Sequence, residues 1–62
     1  MNISITINTD NAAFQENMTA EVLEILRRLS LKIGRDEITI SPHETSKIYD
    51  TNGNAVGKFE VS

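Results

Sequence analysis

The stretch that decides the fold is Lys47-Ile48-Tyr49-Asp50-Thr51-Asn52-Gly53-Asn54-Ala55-Val56-Gly57-Lys58-Phe59-Glu60-Val61. Apolar and polar residues alternate on both sides of Asn52-Gly53, and a period of two marks a strand with one buried face. An Asn-Gly pair between two such runs favours a two-residue type I′ turn, because both central residues of that turn need positive φ. The turn would fix the pairing: Thr51 faces Asn54, Tyr49 faces Val56 and Ile48 faces Gly57. Ile48, Phe59 and Val61 then share the core face with Gly57, whose missing side chain leaves room for a helix to approach. Tyr49 and Val56 fall together on the opposite face.

Upstream, Asn2-Ile3-Ser4-Ile5-Thr6-Ile7-Asn8 alternates in the same way and reads as a half-buried strand. Thr9-Asp10-Asn11 breaks it with turn formers, and Ala12-Ala13-Phe14 reads as a short helical turn with Phe14 as a core plug. Met18, Val22, Ile25, Leu26, Leu29 and Ile33 recur at three- and four-residue steps, the stripe of an amphipathic helix. Asn17 or Thr19 can cap its start, early glutamates and late Arg27, Arg28 and Lys32 suit its dipole, and Gly34 is expected as its left-handed stop. Glu37-Ile38-Thr39-Ile40-Ser41 alternates once more and reads as a short strand ended by Pro42. The expected architecture is one α+β domain spanning residues 1–62. A small, mainly antiparallel sheet carries one amphipathic helix on one face, in the order β-α-β-β-β.

Size and charge narrow the function. A chain of 62 residues buries only about 60% of the surface its unfolded form exposes, so stability is marginal unless packing or self-association adds to it. There is no cysteine, which removes disulfides and thiolate zinc sites and fits a reducing cytoplasm. The amino terminus has no continuous apolar stretch of the secretory kind, and no run reaches the length of a membrane span. Asn2-Ile3-Ser4 and Asn17-Met18-Thr19 match the glycosylation pattern by chance in a cytoplasmic reading. The net charge of −3 argues against general nucleic-acid binding, which wants a basic face.

No catalytic set emerges, and the expectation is a protein that is not an enzyme and takes no cofactor. His43 is the only histidine and lies in a polar loop beside Pro42 and Glu44, with no serine in a strained elbow to activate. Asp50-Thr51-Asn52-Gly53-Asn54 looks like the start of a calcium loop. It lacks the glycine at the sixth position, where Ala55 stands, and the glutamate at the twelfth, where Val61 stands. The glycines at 34, 53 and 57 form no phosphate cradle.

Candidate contact residues are therefore surface residues. Leu31 lies roughly 160° from the centre of the helix stripe, and Tyr49 and Val56 sit away from the helix, where an aromatic suits an interface centre. Tyr49, Val56 and Leu31 are the protein-binding candidates. Arg27, Arg28, Lys32 and Arg35 cluster at the helix end and are the candidates for the alternative, contact with nucleic acid. Self-association into a homodimer through the outer sheet face or a sheet edge would add the burial so short a chain needs.

Three segments carry a resemblance: Ile5-Thr6-Ile7-Asn8-Thr9-Asp10-Asn11-Ala12-Ala13-Phe14, Ile25-Leu26-Arg27-Arg28-Leu29 and Asp50-Thr51-Asn52-Gly53-Asn54-Ala55-Val56-Gly57. Together they resemble a group of short phage and prophage proteins with a Thr-x-Asn-Ala-Ala-Phe start, an Ile-Leu-Arg helix and an Asp-x-Asn-Gly-Asn-x-Val-Gly hairpin. The resemblance implies a mobile-element origin. It also implies a small binding protein acting on a larger host or phage protein, as inhibitors of host defence such as anti-CRISPR proteins do. It carries over no catalytic residue.

Overall fold

A computed structural model describes residues 1–62. Three antiparallel strands, β1 (Ile3–Ile7), β2 (Thr45–Tyr49) and β3 (Ala55–Val61), form one sheet in the order β1-β3-β2. One helix, α1 (Met18–Gly34), follows a 3-10 turn at Ala12–Phe14. The chain is thus a small α+β domain with one helix on a three-stranded sheet. The central strand β3 pairs with the first strand on one side and with its hairpin partner on the other, Ile5 opposite Phe59 and Ile48 opposite Gly57.

The core forms only partly where the periodicity predicts it: Ile3 and Ile5 of β1 and Met18 and Leu26 of the helix stripe stay exposed, and Val56 is buried. Phe14, Ile25, Leu29, Ile38, Ile48, Val56, Phe59 and Val61 are buried in one cluster, with Ile7, Ala13, Val22 and Ile33 packed against it. Asn17 caps α1, its side-chain oxygen accepting the Ala20 N–H at 3.1 Å. Burying an apolar stripe of this kind is what holds a short helix, since an isolated one is marginal in water.

Four expectations give way. The Glu37–Ser41 strand does not form. After α1 the chain stays against the helix end, with Glu37 and Ile38 donating N–H bonds to the Lys32 carbonyl at 2.9 and 3.3 Å. Ile38 is buried and Ile40 exposed, so the two isoleucines do not share one face as a strand would require, and the backbone serves as a helix cap. The order is therefore β-α-β-β, with a 3-10 turn before the helix. The helix stop also moves. Gly34 remains helical, and Asp36 at φ 59° is the left-handed residue. Its N–H reaches the Ile33 carbonyl while the Glu37 N–H reaches that of Lys32, the paired bonds of a Schellman cap.

The hairpin turn differs as well. Only Gly53 has positive φ there, at 86°, and Asn52 does not. The Gly53 N–H bonds the Asp50 carbonyl and the Asp50 N–H bonds the Asn54 carbonyl. This is a three-residue loop, a type I turn closed by a left-handed glycine. The longer loop shifts the register, so Tyr49 faces Ala55, with an irregularity between Ile48 and Tyr49. Val56 becomes the extra residue and turns into the core at 7% exposure. Tyr49 and Val56 are therefore not one patch, and Val56 is a core residue. Finally, Gly57 makes room for a strand rather than for the helix. A Cβ there would stand 1.8 Å from the Thr6 carbonyl oxygen of β1.

Candidate binding surface

Two places on the molecule gather polar chemistry. The first is a knot at the hairpin tip. Asp50 is 1% exposed, and its Oδ1 accepts the N–H groups of Asn52 and Asn54 at 3.0 and 2.8 Å. Its Oδ2 accepts the side-chain amide of Asn11 at 3.0 Å and that of Asn54 at 3.4 Å. Burial alone would raise the pKa of this carboxyl. The bonds from Asn54, Asn11 and Asn52 outweigh it and hold the carboxyl below its usual range. Beside it, Glu21 reaches from the first turn of α1 and accepts both the Thr51 N–H at 2.8 Å and the Thr51 hydroxyl at 2.9 Å. No buried side-chain polar atom is left without a partner. The knot is saturated by its own chain, so its carboxylates tie the loop, the 3-10 turn and α1 together, and offer no open acid–base pair. Sequence reading does not bring Asp50 and Glu21 together, because it assigns Asp50 to the hairpin and the early glutamates of α1 to the helix dipole. The usable signal was Asp50 three residues before Gly53, the residue preference of a type I turn.

The second place is a shallow cleft of about 80 Å³ at the β2 edge, lined by Ile25, Arg28, Leu29 and Lys32 of α1 and by Lys47, Ile48 and Tyr49 of β2. Tyr49 is 46% exposed. The structure thus joins Tyr49 to two of the basic candidates, Arg28 and Lys32. Leu31 is exposed elsewhere on α1 and does not line the cleft.

The basic residues differ in what they already hold. Arg27 and Arg28 both engage Glu24, with the Arg27 Nε at 2.9 Å and the Arg28 Nε at 3.2 Å. The Arg27 hydrogen bond is the main reason the Glu24 carboxyl sits below its usual pKa range and the guanidinium above its own. Arg35 lies 3.9 Å from Glu37, and Lys58 lies 2.9 Å from Glu60. Lys32 and Lys47 alone among the lysines and arginines have no carboxylate partner. Both border the cleft beside Tyr49, Lys32 from α1 and Lys47 from the edge strand, where its side chain leaves on the sheet face away from α1. Lys47 also stands directly opposite Lys58 in the ladder, and like charges in that position are destabilising. Sequence reading passed over Lys47 because it lies outside the helical cluster.

His43 occupies a tight turn at φ 69°, its N–H bonded to the Val61 carbonyl at 3.0 Å. No three histidine, cysteine or acidic side chains converge in a way that could hold a metal ion. No helix is long and apolar enough to cross a membrane. No family model, no curated protein and no solved structure matches this chain.

Proposed function

We propose that this is a small non-enzymatic binding module that docks on a larger protein through the cleft between α1 and β2. Tyr49 is the apolar contact, and Lys32 and Lys47 face an acidic segment of the partner. The observation that carries the reading is the pair of unpartnered lysines beside an exposed tyrosine. Lys47 faces Lys58 at some cost to the sheet, and an acidic partner would offset that cost in the complex. Aromatic side chains ringed by polar groups are frequent centres of protein contacts. In the mobile-element setting implied by the three motifs, the partner is a host or phage machine. The module then acts as its inhibitor or modulator, with a defence system as the natural target, in the cytoplasm.

The test is capture of a partner by tagged protein, compared with a Lys32→Glu, Lys47→Glu variant and with Tyr49→Ala, each shown to be folded. A partner held by the wild type and released by both variants supports the cleft. Equal retention by all three would sink it. Val56→Glu is unsuitable, because it would bury a charge in the core and report folding instead.

Nucleic acid is the second reading, with Tyr49 beside cations as the feature in its favour. It is weaker because Arg27, Arg28 and Arg35 of the original cluster already face Glu24 or Glu37. It demands binding that falls with salt at a log–log slope of about −0.9 per phosphate neutralised on duplex DNA. A titration at low salt with no binding to DNA or RNA removes it.

A further inference from the structure

The two edges of the sheet are built differently. The β2 edge carries Lys47, a register irregularity and a proline-containing turn just before it. These are the usual devices that keep an edge from pairing with another chain. The β1 edge has none of them. Ile3-Ser4-Ile5-Thr6-Ile7 contains no charge and no proline, and it pairs with β3 without a register shift. Asn2 and Ser62 exchange both backbone bonds, and the Asn8 N–H reaches the Val56 carbonyl. Even-numbered residues thus point their backbone groups at β3. By the alternation of an antiparallel ladder, the N–H and C=O groups of Ile3, Ile5 and Ile7 point outward.

That free edge is complementary to itself. Read in either direction from Ile5, the segment Asn2-Ile3-Ser4-Ile5-Thr6-Ile7-Asn8 presents the same classes: hydroxyl, isoleucine, asparagine. Two antiparallel copies with Ile5 opposite Ile5 therefore place Ile3 against Ile7 and Ser4 against Thr6, and no charge meets another. The outward groups fall at the hydrogen-bonded positions of that register, giving about six main-chain bonds between the copies. The side chains agree. Ile3 and Ile5 lie on the core side of the sheet, opposite Val61 and Phe59, yet are 50% and 45% exposed. Arg28 and Lys32 mark the flank of α1 over β2. At roughly 100° per residue, Leu26 lies on the opposite flank, toward β1, and is 39% exposed.

We propose that β1 is a homodimer edge: two copies pair antiparallel through Ile3–Ile7 into a continuous six-stranded sheet. A two-fold axis normal to the sheet puts both helices on one face and the isoleucines of both copies on the floor between them. Because β1 and β2 are opposite edges, the dimer leaves both α1–β2 clefts open. The proposal does not depend on what those clefts bind.

Sedimentation of the full chain across the micromolar range, with amide exchange of Ile3, Ile5 and Ile7, tests it. The expected result is a species of twice the 6.9 kDa chain mass. Exchange of those three amides should slow in step with the dimer fraction. Ile5→Lys sets two charges face to face, and Ile5→Pro deletes an outward N–H that β3 does not use; both should halve the mass, while Tyr49→Lys on the other edge keeps the dimer. A wild type at 6.9 kDa throughout, a dimer that survives both Ile5 changes, or one lost with Tyr49→Lys would overturn it. Should the Ile5 variants fail to fold, wild-type amide exchange independent of concentration overturns it alone.

Discussion

Single residues set the limits of this small domain. Gly57 is the clearest case. Its hydrogen sits where a methyl group would stand 1.8 Å from the Thr6 carbonyl oxygen, so β1 and β3 can pair only with no side chain there. Gly57→Ala should cost about 3 kcal/mol, at the upper end for overpacking, and leave much of a marginal chain unfolded in a denaturant titration. Asp50 acts through its charge. Burial raises its pKa, but the bonds from Asn54, Asn11 and Asn52 bring the folded value below the ordinary one. A depressed folded pKa gives stability that is present above the unfolded pKa and lost as pH falls through the folded one. Between those two values the unfolded chain binds more protons, so stability climbs with pH. Thermal melts below pH 4 should show this slope in the wild type and its loss in Asp50→Asn. Equal slopes would mean that the carboxylate is not held ionised.

Elements were legible in proportion to how local their causes are. The helix stripe, the Asn17 cap and the isoleucine alternation of β1 each follow from neighbours a few residues apart, and each formed. The hairpin was legible as a hairpin but misread in its turn. Asn52-Gly53 suggests type I′, whereas Asp50 binds the N–H groups of Asn52 and Asn54 and holds a type I turn with Gly53 left-handed. One added loop residue moved Val56 from the candidate surface into the core. The Glu37–Ser41 alternation did not become a strand: the Lys32 carbonyl took its backbone donors, and of its two isoleucines only Ile38 is buried. Of the candidate site, Tyr49 and Lys32 were visible in the sequence and Lys47 was not, since only the folded ladder sets it against Lys58. The helix cap offers a direct test. Asp36 holds φ 59°, a conformation that costs most L residues roughly 1–2 kcal/mol and glycine nothing. Asp36→Gly should therefore raise stability by about 1 kcal/mol, read as a higher denaturation midpoint with unchanged m-value. Glu21→Ala should act in the other direction. It strips Thr51 of its acceptor across the loop–helix contact and should cost about 1–3 kcal/mol.

The whole molecule is under-covered for its size. Its radius of gyration is 11.8 Å, against roughly 10.5 Å expected for a compact chain of this length, and 10 of 62 residues are buried. The helix rests toward β2 and leaves Ile3 and Ile5 of β1 open, so the unused surface is apolar at one edge and basic at the other. These edges make opposite demands on stability. Pairing at β1 would add burial to the fold, whereas Lys47 at β2 takes stability from it by facing Lys58. Lys47→Glu separates folding from function for that reason. It turns a repulsive cross-strand pair into an attractive one and should raise stability by about 0.2–1 kcal/mol. If the cleft binds an acidic segment, the same change should weaken capture of the partner even though the protein is more stable. Melting and capture measured side by side would then move apart. If both rose together, Lys47 would have no part in binding and the contact would lie with Tyr49 and α1 alone.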